Sequence, residues 1–199
     1  MIGDLHGNFT RYGWIIRNYD CSIALGDIGL GFPNKPVSMM PAYPEHRFIR
    51  GNHDNPATCK LHSSYLGDYG FIESPSIFFI SGALSVDRRM RQKGTTWWED
   101  EQLDVPTLER MVSFFSEKKP RIVVSHDCPE TVAWLMQTDR LKLEDPSDTR
   151  DFLQAAFEAH QPDYWFYGHW HRTQKMKIGN TEFTCVGELD AVELKDVSW

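Results

Sequence analysis

Five short segments carry side chains able to hold metal ions, and they occur in the order Gly3-Asp4-Leu5-His6-Gly7, Gly26-Asp27, Gly51-Asn52-His53-Asp54, Ser125-His126-Asp127 and Gly168-His169-Trp170-His171. They offer carboxylate and amide oxygens and imidazole nitrogens, with no cysteine inside any of them. Oxygen and imidazole ligands of this kind suit divalent ions. Two such ions a few ångströms apart can clamp the attacking and leaving oxygens of an in-line displacement at phosphorus. A lone His-x-His arises easily by chance. Five segments in series, nearly all beside a glycine or at the end of an apolar run, are specific for a binuclear phosphoester-cleaving site.

The elements that must carry these residues alternate between strand and helix. Apolar residues three to four apart predict a helix over Phe9–Asn18. Cys21–Leu25 reads as a buried strand ending at Gly26-Asp27, and Arg47–Arg50 as a strand delivering Gly51-Asn52-His53-Asp54. Between them, the prolines at 33, 36, 41 and 44 make Leu30–Glu45 a loop. Strands are expected at Phe71-Ile72, Ser76–Ile80, Arg121–Ser125 and Tyr164–Tyr167, with a polar, Arg-rich loop over Ser81–Glu101. Helices are expected over Val105–Glu117, with Pro106 in the first turn, and from a cap at Ser147 or Asp148 to His160. The tail reads as a hairpin of Gln174–Ile178 and Thr181–Val186 turning at Gly179-Asn180. Ligands thus fall where strands end, the usual place for sites in open α/β sheets.

The five segments, in this order from Gly3 to about Gly187, resemble the calcineurin-like metallophosphoesterases. Ser81–Arg88 followed by Trp97-Trp98 is also similar to a small bacterial and phage-type branch of that family. The resemblance implies an α/β fold, a four-layer α-β-β-α sandwich, formed by one domain over residues 1–199. It implies two divalent ions, manganese first, with iron, zinc or nickel as alternatives. Asp27 would bridge them. Asp4, His6 and His171 would hold the first ion and Asn52, His126 and His169 the second. A hydroxide held between the metals would attack phosphorus in line, while His53 protonates the leaving oxygen.

Asp54 is a candidate catalytic partner of His53, although adjacent side chains often diverge. Where many protein phosphatases of the family have Gly-Asp-x-x-Asp-Arg-Gly, this chain has Gly26-Asp27-Ile28-Gly29-Leu30-Gly31. The acid-orienting aspartate and phosphate-clamping arginine are absent, which weakens a protein-phosphatase assignment. Arg88, with Arg89 and Arg91, is the candidate substrate clamp. Trp97-Trp98 fits either a stacking platform or lid packing. His46, His62 and His160 match no segment and are expected on the surface or in loops. Only Met1 and Ile2 precede Gly3, so the strand before the first ligand pair is a stub.

Composition narrows the partners. The 199 residues are 41% apolar and 13% aromatic, ordinary values for a globular chain. A formal net charge of −7 disfavours a duplex nucleic-acid partner, which needs clustered lysine and arginine. A small phosphoester, nucleotide or phosphoprotein is the expected substrate. There is no stretch apolar enough to span a membrane and no export signal, and the scattered cysteines read as free thiols of a cytoplasmic protein. The alternatives are an inactive metal-binding interaction module of the same fold and, among enzymes, a nuclease or cyclic-nucleotide phosphodiesterase.

Overall fold

The computed structural model describes residues 1–33, 40, 43–136 and 145–194. The expected loop over Leu30–Glu45 falls partly outside these residues. Its described end is closed by a bridge between Tyr43 and His46.

Period-two burial organises the sheets. In β4 (Ile77–Ile80) and β5 (Ile122–Ser125) every residue is buried, so both faces must be covered. Ile77, Phe79, Ile122 and Val124 join Ile23, Leu25, Ile49, Phe166 and Val186 in one apolar cluster. The alternate residues Phe78, Ile80 and Val123 belong to a second cluster with Leu108, Met111, Phe115, Leu153 and Trp165. Successive side chains of a strand point to opposite faces, and here each face meets a different layer.

The first of those clusters lies between two sheets. One is small, with β1 (Ser22–Ala24) parallel to β2 (His46–Phe48). The other has six strands in the order β3-β4-β5-β6-β8-β7, where β3 is Tyr69–Ile72, β6 Tyr164–Tyr167, β7 Gln174–Ile178 and β8 Thr181–Cys185. Its four central strands, β4, β5, β6 and β8, are parallel, and the outer strands β3 and β7 pair antiparallel.

Helices cover the outer faces. Helix α1 (Phe9–Ile16) packs Phe9, Tyr12 and Ile16 against Ala24 and Phe48 of the small sheet, and the single turn α2 (Pro56–Cys59) adds Cys59. On the large sheet lie α3 (Val105–Lys118), α4 (Glu130–Met136) and α5 (Asp148–Ala159). The result is the expected α-β-β-α sandwich. Asp104 caps α3, accepting from Thr107 N at 2.8 Å, and Ser147 rather than Asp148 caps α5. Helix α4 lies in a stretch to which the sequence assigned no element. Among the described residues, no helix is long and apolar enough to cross a membrane.

Candidate metal centre

All five ligand-bearing segments leave the carboxyl ends of strands on one side of the sandwich. Asp27 follows β1, Asn52 follows β2, His126 follows β5, and His169 and His171 follow β6. Asp4 and His6 follow the two-residue stub. That stub is pinned: Ile2 N donates to Ile23 O (3.0 Å) and Ile2 O accepts from Leu25 N (2.9 Å), so it lies parallel beside β1. Gly3 N donates to Asp190 O at 3.0 Å, and Ile2 is buried. Ile2 is thus clamped from both sides, by Ala24 and by Ala191.

The side chains converge into two groups that share Asp27. Asp4, His6, Asp27 and His171 each offer an atom within 4.8 Å of the others, and so do Asp27, His126 and His169. Asn52 belongs with the second group, its Oδ1 being 3.1 Å from His126 Nε2, which is also 3.1 Å from Asp27 Oδ1. In the first group His6 Nε2 is 3.1 Å from His171 Nε2, which is 3.3 Å from Asp4 Oδ2. Ligands about 2.1 Å from one ion, at tetrahedral or octahedral angles, stand about 3.0–3.4 Å apart. Acceptor atoms crowded at this spacing repel one another unless a cation lies among them. The donor set therefore fits divalent metal.

Close packing around the ligands depends on missing side chains. A Cβ on Gly51 would stand 2.2 Å from Asp27 Oδ1, and one on Gly168 would stand 2.2 Å from Asp4 Oδ1. Four of the ligand residues adopt left-handed backbone, with φ of 45° at His6, 49° at Asp27, 66° at His169 and 52° at His171. Such conformations cost about 1–3 kcal/mol each and persist only where the surroundings enforce them.

Those surroundings are hydrogen bonds. His169 N donates to both oxygens of Asp4 at 3.1 and 3.0 Å, and His53 N donates to Asp27 Oδ1 at 2.8 Å. His126 Nδ1 donates to Leu25 O at 2.6 Å, which fixes the ring so that Nε2 faces the ligand group. Burial disfavours charge on this ring, yet Asp27 and Asp4 outweigh it and push His126 up to about 10. Asp27 is buried too, and His126 and His53 nonetheless hold it well below the ordinary carboxylate range. Asn52 Nδ2 donates to Ser85 Oγ (3.1 Å), which donates to buried Glu101 Oε2 (2.5 Å), so the amide oxygen is the atom turned to the ligands.

His53 stands at the mouth. Its ring meets His6 edge-on at 5.1 Å and lies nearly parallel to Phe32 at 6.1 Å. Arg91 Nη2 donates to His53 Nε2 and stands 3.2 Å from Nδ1, while Arg91 Nε is paired with Asp87 at 2.7 Å. Burial, reinforced by Arg91 and His6 and opposed by Asp27, lowers His53 to about 4.

The structure thus brings Asp4, His6, Asp27, Asn52, His126, His169 and His171 together with His53. Two expected participants are elsewhere. Asp54 does not partner His53: Oδ1 accepts from Gly29 N (2.7 Å) and Leu30 N (3.1 Å), and Oδ2 from Ile28 N (3.1 Å) and Gly51 N (2.8 Å). It ties the Asp27 loop to the Asn52 loop, and burial beside Asp27 pushes it up to about 6. Arg88 does not clamp the site, because its Nη1 is committed to Asp145 (2.8 Å) and Ser85 O (3.1 Å). Arg91 holds the place at the mouth.

His46 and His62, expected on the surface or in loops, are both buried, His46 in β2 and His62 in the loop after α2: His46 Nδ1 bonds Ser22 Oγ at 2.9 Å, and His62 Nδ1 accepts from Ser64 N at 3.1 Å. Trp98 is buried with an edge contact to Phe32 at 5.3 Å, so it packs under the mouth. No disulfide joins the four cysteines, and burial raises the Cys128 thiol well above its ordinary range. Ser85, Glu101 and Phe32 were missed by the sequence reading. Nothing in their local pattern marks them, since each is brought in by a long loop.

The family model for calcineurin-like phosphoesterases matches residues 1–173 of the chain. No curated protein matches it.

Proposed function

The chain belongs to the calcineurin-like phosphoesterase family, and from that premise we propose that its two ligand groups hold two divalent ions and that it hydrolyses phosphomonoesters or phosphodiesters. The observation that carries this reading is the membership of Asp27 in both ligand groups. One carboxylate offsets the repulsion of two neighbouring cations. Asp4, His6 and His171 complete the first set; Asn52, His126 and His169 complete the second. When bound, the ions supply charge that polarises phosphoryl oxygens and brings the pKa of water towards neutrality, with manganese the first candidate.

The chain's own residues do the rest. Arg91, whose Nη2 faces the mouth while Nε is held by Asp87, would donate that Nη2 to a phosphoryl oxygen and so release the ring of His53. In the free site His53 is a neutral acceptor of the Arg91 bond. A bound phosphate dianion favours the protonated imidazole, which then donates from its ring nitrogen to the leaving oxygen. Asp54 holds the loops of Asp27 and His53 at fixed separation. With a net charge of −7, a small phosphoester, nucleotide or phosphoprotein is the preferred substrate, and a cytoplasmic setting accords with free thiols.

The test separates chemistry from metal assembly. The Mn²⁺-loaded chain should hydrolyse p-nitrophenyl phosphate or bis-p-nitrophenyl phosphate, and the ratio of the two assigns monoester or diester preference. His53→Ala should keep the full metal content and lose about 10²–10⁴-fold in rate on an alkyl phosphate. The loss should be smaller on a nitrophenyl ester, whose leaving group needs little protonation. Equal losses on both substrates, or loss of an ion, would remove the acid role. No turnover at full metal content would favour the inactive module.

A further inference from the structure

A cleft of about 230 Å³ opens beside His53, lined by His6, Gly29, Phe32, Pro33 and His53. We propose that this cleft is the seat of the leaving group and that Phe32 makes it select an aromatic ring joined directly to the ester oxygen, an aryl phosphoester. The inference rests on the phosphoesterase reading, because it is His53, as donor to the leaving oxygen, that marks the side on which the leaving group lies.

Three observations point to a flat apolar occupant. The Phe32 ring lies at 16° to the His53 ring with centroids 6.1 Å apart, so the acid imidazole and an aromatic face line the same space. Buried Trp98 braces Phe32 edge-on at 5.3 Å and 75°, which holds that face in place. None of the five lining residues carries a carboxylate, amide or ammonium group, so among the described residues the lining offers a hydroxyl-rich leaving group no side-chain partner besides its two imidazoles. Size argues the same way. The cleft falls below the roughly 300–1,000 Å³ of sites for drug-sized ligands and suits a single ring better than a nucleoside. Rings pack favourably edge-to-face or offset-stacked at centroid separations of about 4.5–7 Å, the scale of the contacts already around Phe32.

The test uses two ligands that are not hydrolysed, phenylphosphonate and methylphosphonate, titrated calorimetrically into the Mn²⁺-loaded full chain. Phenylphosphonate should bind about tenfold more tightly than methylphosphonate, the worth of one favourable aromatic contact with its buried area. Phe32→Ala should bring the ratio of the two affinities close to one. Phe32→Tyr should restore it, and Phe32→Leu, similar in bulk but without an aromatic face, should restore only part. Equal affinities in the parent chain, no binding of either ligand, or an undiminished ratio in Phe32→Ala would each overturn the proposal. So would a Phe32-dependent gain seen with adenosine 5′-thiomonophosphate and not with phenylphosphonate, since the ring would then sit one sugar away. If the ratio behaves as expected but no ester is turned over, the phosphoesterase reading falls while the aromatic seat stands.

Discussion

Gly51→Ala adds one methyl group, and the structure says what that group meets. Its Cβ would stand 2.2 Å from Asp27 Oδ1, 2.5 Å from Asp27 N and 2.6 Å from His126 Nε2. Carbon prefers about 3.5 Å or more from its non-bonded neighbours, so the Asp27 carboxylate must retreat by roughly 1 Å. It cannot do so freely, because its Oδ1 holds His53 N at 2.8 Å and its backbone is equally close to the new methyl. A 1 Å displacement of a reacting geometry costs about 10²-fold in rate, and overpacking a filled site costs about 1–3 kcal/mol. The matched control is Gly13→Ala inside α1, where the new Cβ has nothing within 4 Å. There the same methyl should stabilise by about 0.5–1 kcal/mol, through helix propensity. The assay is kcat/KM on p-nitrophenyl phosphate with Mn²⁺, metal content after dialysis, and thermal melting of both variants. Gly51→Ala should fall about 100-fold, lose metal and melt several degrees lower, while Gly13→Ala keeps parental activity. A Gly51→Ala enzyme within threefold of the parent, with its metal intact, would show that Asp27 does not sit where the centre requires it.

Other perturbations follow from the same geometry. Asp27→Ala should release at least one metal equivalent, and a variant that keeps two tightly bound ions would refute the bridge. Arg91→Ala should raise KM about tenfold or more, because Arg91 stands at the mouth, whereas Arg88→Ala should stay within a few-fold; the reverse order would mean that the 81–101 loop is misread. His126, raised to about 10, makes a pH prediction for chelator-treated protein. A histidine with a raised folded-state pKa stabilises fully below its unfolded value near 6.5 and loses that contribution as pH climbs towards 10. The metal-free chain should therefore lose stability steadily between pH 7 and 9 by urea denaturation. A metal-free chain with a flat profile over that range would remove His126 as the proton holder.

The candidate ligands stand out in the sequence because nearly all follow apolar strand-like runs, and Asp4, His6, Asp27, Asn52 and His169 each stand beside a glycine. Tyr164–Tyr167 and the Gly179-Asn180 hairpin came out at their observed positions for the same local reasons. What escaped depends on contacts between distant parts of the chain. The stub at Ile2 becomes a strand only through the Ile23 and Asp190 carbonyls, which no nearby residue announces. In an Arg-rich loop, local composition does not distinguish Arg88 from Arg91; the choice is made by Asp145, which captures the first, and Asp87, which aims the second. The burial of His46 escaped because its partner Ser22 comes beside it only when β1 pairs with β2, whereas His62 bonds the nearby Ser64 N and is covered by Phe48 from a distant strand. Asp54 looked catalytic by adjacency, and its four backbone partners lie across two loops.

The ligands also come from both halves of the sandwich. Asp4, His6, Asp27 and Asn52 extend from the stub and the small sheet, while His126, His169 and His171 extend from the large one. Each ligand group draws on both halves, through Asp4, His6 and Asp27 with His171, and through Asp27 with His126 and His169. Among the described residues the small sheet has two three-residue strands and the Ile2 bridge, less than a sheet needs to stand alone in water. Filled as proposed, the centre would also act as a rivet, binding a weak layer to a strong one at the rim where the apolar filling between them ends. Stripping it should be felt as faster amide exchange along Ser22–Ala24 and His46–Phe48, far more than in the interior strands β5 and β6.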